Sequence, residues 1–192
     1  MDRVVLASRN PHKLRELAAL LPGWPLEPLE RGDYPEETGS TFAENARAKA
    51  AFARRFVTAA WILAEDSGLE VDGLGGRPGV YSARFAGPGA TDEENVRRLL
   101  EELGGAEGAA RRARYVCELV AVTPAGEELE ARGVLAGRIA RQPRGSGGFG
   151  YDPVFVPEGA ERTVAELGDA WKAERSHRAQ AARALRAAVE RR

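Results

Sequence analysis

Two adjacent carboxylates, Glu65 and Asp66, are the residues best suited to chemistry in this chain. They follow an apolar run over 57–64 that predicts a buried strand, and Ser67 and Gly68 behind them predict a turn. Loops at the carboxyl ends of strands form the ligand crevice of open α/β sheets, so this position favours a binding site. Neighbouring strand residues point to opposite faces, so one acid can hold a hard cation while the other has a different task. The tetrapeptide alone is equally compatible with an ordinary turn.

A second chemical feature is the segment from Ser8 to Lys13, which lies between a short apolar strand over 4–7 and a helical apolar pattern. Asn10 is a suitable N-cap and Pro11 a suitable first helical residue, so a helix is predicted to start there. A helix N-terminus presents free backbone N–H groups, and the hydroxyl and two cations beside them favour phosphate binding. An ordinary cap with exposed basic residues remains the simpler explanation of this hexapeptide taken alone.

Two glycine-rich segments, 73–87 and 144–153, are candidate binding loops. The first carries an aromatic and a cationic residue among more glycines and prolines than one turn needs, which is typical of a shaped binding surface. In the second, Phe149 and Tyr151 offer ring faces on which a base could stack, while Asp152 could read its edge. A hairpin loop with aromatic anchors explains the second segment equally well.

Capping boxes mark where three helices should begin, at Thr41, Thr91 and Thr163. In the first of these helices Asn45 and Lys49 are one turn apart beside the apolar stripe. They are candidates for lining a polar cleft, and an exposed position for both is the alternative.

The last helix is predicted to be capped by Ser176, which places His177 and Arg178 in its first turn. Cations gain nothing from the helix dipole at that end. Contacts with oxygen atoms of a ligand would better explain His177 and Arg178 at this position.

Length and charge limit the possible functions. The 192 residues suffice for one substantial core or for two lobes sharing a sheet. The net charge of -1 and the lack of a recognised motif argue against a nucleic-acid partner. No run approaches the roughly 20 apolar residues of a membrane helix, and no signal-peptide pattern is present, so we expect a cytoplasmic protein.

The period of the apolar pattern changes to two over 114–122 and 128–135, with a turn between them, which predicts an antiparallel hairpin. We interpret this hairpin as a second lobe over about 112–150 within one domain of 1–192, or as an extension of the sheet. Cys117, in its first strand, is the single cysteine of the chain, so it is predicted to pack and no internal disulfide is possible.

Taken in order, these segments resemble the inosine triphosphatase (Ham1-like) family. The resemblance covers almost the whole chain, and its specificity comes from the order of the motifs. They are Ser8-Arg9-Asn10-Pro11-His12-Lys13, Glu37-Thr38-Gly39, Phe42-Ala43-Glu44-Asn45-Ala46, Asp66-Ser67-Gly68-Leu69, Pro78-Gly79-Val80-Tyr81-Ser82-Ala83-Arg84, Gly147-Gly148-Phe149-Gly150-Tyr151-Asp152-Pro153 and Ser176-His177-Arg178.

The resemblance implies a mixed twisted α/β sheet with flanking helices and two lobes around a nucleotide-binding cleft. It also implies a homodimer that converts ITP, dITP, XTP and dXTP to monophosphate and pyrophosphate with Mg²⁺, removing deaminated purines from the nucleotide pool. A non-catalytic purine nucleotide sensor is the alternative function for the same motifs.

Site residues follow from the resemblance by matching positions. Ser8 to Lys13 would contact the triphosphate, and Glu37 and Asp66 would serve the metal, with Asp66 also the general base. The rest of the substrate site would be formed by Ser67, Phe149, Gly150, Tyr151, Asp152, Lys172, His177 and Arg178.

This chain departs from the family pattern at two places. Many relatives have Asp-Asp where it has Glu65-Asp66, so the metal geometry at Glu65 does not follow from the resemblance, and Glu65 is a possible third metal ligand. Bacterial relatives often have Thr-Gly in place of Ser8-Arg9, so an individual role for Arg9 does not follow from the resemblance.

Overall fold

The computed structural model describes residues 3–31 and 33–191, in which helices follow and separate the strands of one sheet. The strands are β1 (Val4–Ala7), β2 (Leu26–Pro28), β3 (Trp61–Val71), β4 (Arg112–Val122), β5 (Glu128–Ile139) and β6 (Phe155–Pro157). The helices are α1 (Pro11–Leu20), α2 (Phe42–Arg54), α3 (Asp92–Leu103), α4 (Val164–Arg175) and α5 (His177–Glu190), with three short 3-10 helices besides. Within these ranges, no helix combines the length and apolarity that crossing a membrane requires.

The sheet has six strands in the order β2-β1-β3-β4-β5-β6. β1 pairs in parallel with β2 and with β3, whereas β5 and β6 are antiparallel. β4 and β5 are neighbours joined only by residues 123–127, and parallel strands need a longer crossover, so these two form the predicted hairpin. The predicted mixed α/β sheet is therefore confirmed.

The residues group into two compact units. Unit 1 comprises the described residues of Met1–Asp66, Cys117–Gly133 and His177–Arg192, and unit 2 comprises Ser67–Val116 and Val134–Ser176. Strands β3, β4 and β5 each contribute residues to both units. The second lobe expected over about 112–150 stays a prediction.

In unit 1, helices cover both faces of the strands. On one face Leu63 of β3 packs in a core with Leu17 of α1 and Leu185 of α5. On the other face Ile62 packs in a core with Ala50 of α2. Since side chains alternate along a strand, the next residues of β3 are directed to α1 and α5 at odd positions and to α2 at even positions.

The predicted turn at Ser67 and Gly68 is wrong, because β3 runs through both residues to Val71. The apolar side chains of Leu69 and Val71 are fully buried in the core of unit 2, and that burial favours continuation of the strand over a turn. The two acids still lie just beyond the parallel pairing, since β1 ends where Ala7 pairs with Ala64.

The predicted helix starts are confirmed. Asn10 caps α1 with Pro11 at its first position, and Thr41, Thr91 and Thr163 form complete capping boxes at α2, α3 and α4. α5 begins at His177, directly after the extended residue Ser176.

Close packing between β5 and α5 provides a test of the fold of unit 1. A Cβ at Gly133 would lie 2.0 Å from the His177 carbonyl oxygen and 2.6 Å from the Ala181 amide nitrogen. Gly133→Ala is therefore expected to lower the free energy of unfolding by about 2–3 kcal/mol, measured by urea unfolding. Gly105→Ala is the matched control, since its Cβ would meet nothing within 4 Å. Equal midpoints for the two variants would contradict the expectation.

Candidate functional site

The side chain of Asp66 lies on the α2 face of β3 and is almost fully buried. Its Oδ1 accepts a hydrogen bond from Lys49 Nζ at 2.8 Å, and its Oδ2 accepts one from Asn45 Nδ2 at 3.2 Å. The same Lys49 ammonium lies 2.5 Å from Oε1 of Glu37. We refer to these four residues as the Asp66 cluster; they bring one predicted metal ligand, Glu37, to the other, Asp66.

Burial and the neighbouring charges together set the protonation of this cluster. Burial raises the pKa of the Asp66 carboxyl, and the charges of Lys49 and Lys13 offset this only in part. Burial lowers the pKa of Lys49, but the charges of Asp66 and Glu37 outweigh it and raise that pKa above its ordinary value. Lys49 is therefore a protonated ammonium that compensates two carboxylates.

The donor set of the Asp66 cluster fits an oxygen-ligated cation. Oxygens of Glu37 and Asp66 contact a single ammonium, so they are close enough to share one small ion after a modest shift. Among the described residues, no group of three or more His, Cys, Asp or Glu side chains could hold a metal. Mg²⁺ is commonly bound by one or two carboxylates with substrate phosphates and water, so this pair suits an ion that binds together with a phosphate ligand.

Glu65 is directed to the opposite face of β3 and has no exposed surface. Its Oε1 accepts a hydrogen bond from Arg178 Nη2 at 2.8 Å, and its Oε2 lies 3.3 Å from Lys13 Nζ. Arg178 also donates to Glu16, and the Cys117 thiol lies 3.5 Å from Glu65 Oε1. We call these five residues the Glu65 cluster. Its carboxylate points to α1 and α5 on the opposite face of β3 from Asp66, which disfavours Glu65 as a third metal ligand.

The charge of Glu65 controls the protonation of its neighbours. It raises the pKa of Arg178 above its ordinary value although burial alone would lower it. Burial, followed by the same carboxylate, raises the pKa of the Cys117 thiol well above the usual range. Cys117 is accordingly a packed, protonated thiol, as the sequence predicted.

The predicted phosphate segment forms a tightly hydrogen-bonded helix start. Asn10 Oδ1 accepts from the amides of His12 at 2.9 Å and Lys13 at 3.3 Å, and the Asn10 amide donates to Ser8 Oγ. The expectation of free amides at these three residues is therefore wrong, since the N-cap side chain and Ser8 engage them. The Arg9 guanidinium lies over the Tyr34 ring, 5.5 Å from its centre.

In unit 2, a third buried acid contacts a lysine. Asp152 accepts hydrogen bonds from Lys172 Nζ at 2.7 Å, from the Phe149 amide at 3.0 Å and from the Tyr115 hydroxyl at 3.2 Å. The Lys172 ammonium also lies 4.6 Å from the centre of the Phe149 ring. We call these four residues the Asp152 cluster.

Tyr151 has a different environment from Phe149. Only 4% of its surface is exposed, and its hydroxyl donates to the Ser82 carbonyl at 2.8 Å. Burial, together with the charge of Asp92, raises its pKa. The ring of Tyr151 belongs to the core of unit 2, so of the two predicted stacking rings only Phe149 is partly exposed.

The predicted site residues are divided between the two units. Unit 1 contains Ser8, Arg9, Asn10, Pro11, His12, Lys13, Glu37, Asp66, His177 and Arg178, and unit 2 contains Ser67, Phe149, Gly150, Tyr151, Asp152 and Lys172. Within unit 1 the structure brings Glu37 to Asp66, whereas Lys13 and Arg178 meet at Glu65. The contribution of each residue to a substrate site stays a prediction.

Tyr115 and Glu16 were not assigned from the sequence, whereas Asn45 and Lys49 were candidates for lining a polar cleft. Tyr115 gave no signal, because it is one aromatic residue in an alternating strand. Lys49 did leave a signal, since only three of the 28 lysine and arginine residues are lysines. All three, at positions 13, 49 and 172, contact a buried acid.

The compensating role of Lys49 can be measured by removing its charge. Lys49→Met would leave buried Asp66 without its nearest cation, so the free energy of unfolding should fall by about 3 kcal/mol. Arg47→Met, on the same helix, removes an exposed ion pair with Glu128 and Glu130 and should cost less than about 1 kcal/mol. Chemical unfolding at neutral pH would compare them, and equal losses would argue against charge compensation by Lys49.

Known proteins similar to this chain form a consistent group. The model of the Ham1 family matches residues 4–188. A dITP/XTP pyrophosphatase of Exiguobacterium sp. is 47% identical over 192 residues, which cover 97% of this chain and 96% of the relative. A dITP/XTP pyrophosphatase of Methylococcus capsulatus is 48% identical over 189 residues, covering 95% of this chain and 94% of the relative.

Two solved structures that superimpose on this chain are also Ham1 proteins. The Staphylococcus aureus Ham1 protein superimposes with a TM-score of 0.87 at 38% identity, covering 98% of each chain. A HAM1 protein from Coxiella burnetii superimposes with a TM-score of 0.86 at 40% identity over 100% of each chain.

Proposed function

The chain belongs to the Ham1 family, and we propose that it hydrolyses ITP, dITP, XTP and dXTP to the monophosphate and pyrophosphate. Its relatives named dITP/XTP pyrophosphatases match nearly the full length of both chains. The observation that carries the proposal is the Asp66 cluster, in which the carboxylates of Glu37 and Asp66 share the Lys49 ammonium and Asp66 is also hydrogen-bonded to Asn45. Such a site can bring a metal and a base together at a phosphate group.

Asp66 is the proposed general base. Its two carboxylate oxygens are oriented by Lys49 and Asn45, so it could hold a water molecule in a fixed direction for attack on the α-phosphorus. Lys13 is the proposed cation for the triphosphate, because its side chain is long and partly exposed and lies in the first turn of α1. In phosphoryl chemistry most of the rate comes from such positioning and charge stabilisation.

Glu37 and Asp66 are the residues that we propose hold Mg²⁺. When bound, the ion would supply positive charge beside the phosphate oxygens. Lys49 already contacts both carboxylates, so it would keep their charges compensated when the nucleotide is absent.

Selectivity for the base is assigned to the Asp152 cluster. An ammonium group has three N–H donors, so Lys172 can donate to Asp152 and also to the 6-oxo oxygen of hypoxanthine or xanthine. Adenine has an amino group at that position and would leave the donor unpaired, at a cost of about 1–3 kcal/mol. The partly exposed Phe149 ring is the proposed stacking surface.

The alternative of a non-catalytic nucleotide sensor uses the same residues. A sensor gains little from a base beside the metal ligands, so the Asp66 cluster favours hydrolysis, and release of pyrophosphate separates the two functions. A homodimer and a cytoplasmic location are further proposals from the family resemblance. Light scattering of the purified chain would test the first of them.

Replacing the proposed base should remove turnover but keep binding. Asp66→Asn retains the size of the side chain but cannot accept a proton, so kcat for ITP should fall by at least about a hundredfold. Asp72→Asn, which changes an exposed acid paired with Arg112, should leave kcat within about twofold. Steady-state kinetics with calorimetric nucleotide binding would test this, and near-normal turnover of Asp66→Asn would exclude the assignment.

A panel of nucleoside triphosphates would test the reaction itself. We expect fast release of pyrophosphate from ITP and XTP, slow release from GTP and almost none from ATP, because adenine lacks the 6-oxo acceptor. Chelation of divalent ions should abolish activity, and added Mg²⁺ should restore it. Equal rates on all four nucleotides, or release of single phosphates, would contradict the proposed function.

A further inference from the structure

Glu65 is an unusual residue to bury, because a carboxylate without exposed surface requires nearby positive charge. Its two oxygens are divided between two helices. Oε1 contacts Arg178, in the first turn of α5, at 2.8 Å, and Oε2 lies 3.3 Å from Lys13, in the first turn of α1. One strand residue thus holds the starts of both helices that cover this face of β3.

Stability alone gives a weak reason for this arrangement. Well-packed apolar residues often replace a buried ion pair without loss of stability. Moreover, a carboxylate beside Lys13 opposes the approach of an anionic substrate. The negative charge of Glu65 is better explained if it serves to orient Lys13 and Arg178, and if that orientation matters more than the positive potential that Glu65 removes.

A second observation separates Glu65 from the metal ligands. Asp66 points to α2 and contacts Lys49 and Asn45, whereas Glu65 points to α1 and α5. Glu16 contacts Arg178 from α1, so a charged path runs from β3 through α5 back to α1. The Glu65 cluster therefore contains two carboxylates, Glu65 and Glu16, whose contacts with the cations Lys13 and Arg178 constrain one another.

We propose that Glu65 is a positioning residue that fixes Lys13 and Arg178 relative to each other for the nucleotide reaction. This role rests on the proposed function, in which Lys13 contacts the triphosphate. Glu65 itself touches neither substrate nor metal, and it acts through the two cations. Its carboxylate pairs with Lys13 through one oxygen and with Arg178 through the other, so both oxygens must carry negative charge.

Glu65→Gln removes the negative charge and directs an amide N–H group at one of the two cations. We expect kcat/KM for ITP to fall about tenfold or more, because the phosphate-binding cation loses its orientation. In a Lys13→Met background the same substitution should cost less than about threefold, since the phosphate-binding cation that Glu65 orients is already absent. A merely structural contribution would lower kcat/KM by the same factor in both backgrounds, and that result would overturn the proposal.

A matched control and a second variant keep this test decisive. Glu118→Gln changes another strand glutamate paired with an arginine, Arg132, and should leave kcat/KM within about twofold. If Glu65→Gln does not fold, Glu65→Asp keeps the charge but is one methylene too short for both cations. The loss of kcat/KM in Glu65→Asp should then again be smaller in the Lys13→Met background than in the wild-type background. An equal loss in both backgrounds would overturn the proposal.

Hydrogen exchange gives a readout that needs no turnover. In Glu65→Gln, amide exchange in α1 and α5 should rise together by about tenfold or more, while α2 and α3 keep the rates of the wild-type chain. Unchanged exchange in α1 and α5 would overturn the positioning role. If the wild-type chain releases no pyrophosphate from ITP, the proposed function fails, and the exchange measurement still decides whether Glu65 holds the two helices.

Discussion

Glu65 and Asp66 occupy neighbouring positions of β3, and burying both of them requires positive charge on each face of the strand. Lys49 supplies it on the α2 face, and Lys13 with Arg178 supplies it on the face of α1 and α5. Because an unpaired buried charge is costly, these contacts constrain where the three helices can lie. The rest of unit 1 is arranged around that constraint.

The same kind of pair recurs in unit 2, where Lys172 contacts buried Asp152. Lysines occur in this chain only at these three places, whereas the exposed ion pairs use arginine. A lysine ammonium is a compact charge on a flexible stem, so it can compensate a buried acid and still move toward a ligand. An arginine fork is larger and needs a planar set of acceptors, which suits surface pairs and the two carboxylates around Arg178.

The helix starts determine which groups remain for chemistry. At α1 the Asn10 side chain and Ser8 use three amides that an anion could otherwise bind. The capping box of α2 orders the residues before Asn45, and the Gly39 amide donates to Asn45 Oδ1 while Asn45 Nδ2 donates to Asp66. The amide of Asn45 therefore connects the segment after Glu37 to the proposed base. At the start of α1, a polyanion would therefore be bound more by charged side chains than by free backbone amides.

The sequence by itself determined the α/β class, the helix starts at Asn10, Thr41, Thr91 and Thr163, and the family to which the chain belongs. Those features depend on local hydrogen bonding and on the order of motifs, both of which can be read along the chain. It also predicted different tasks for Glu65 and Asp66, because alternation along a strand is a local rule.

Only the tertiary structure decided the end of β3, the partners of each acid and the burial of Tyr151. The strand continues past Gly68 because Leu69 and Val71 find a core formed by residues far along the chain. Glu65 meets Arg178 across 113 positions of sequence, and Tyr115 meets Asp152 across 37. Such contacts depend on which helix packs on which face of the sheet, and no local pattern encodes that choice.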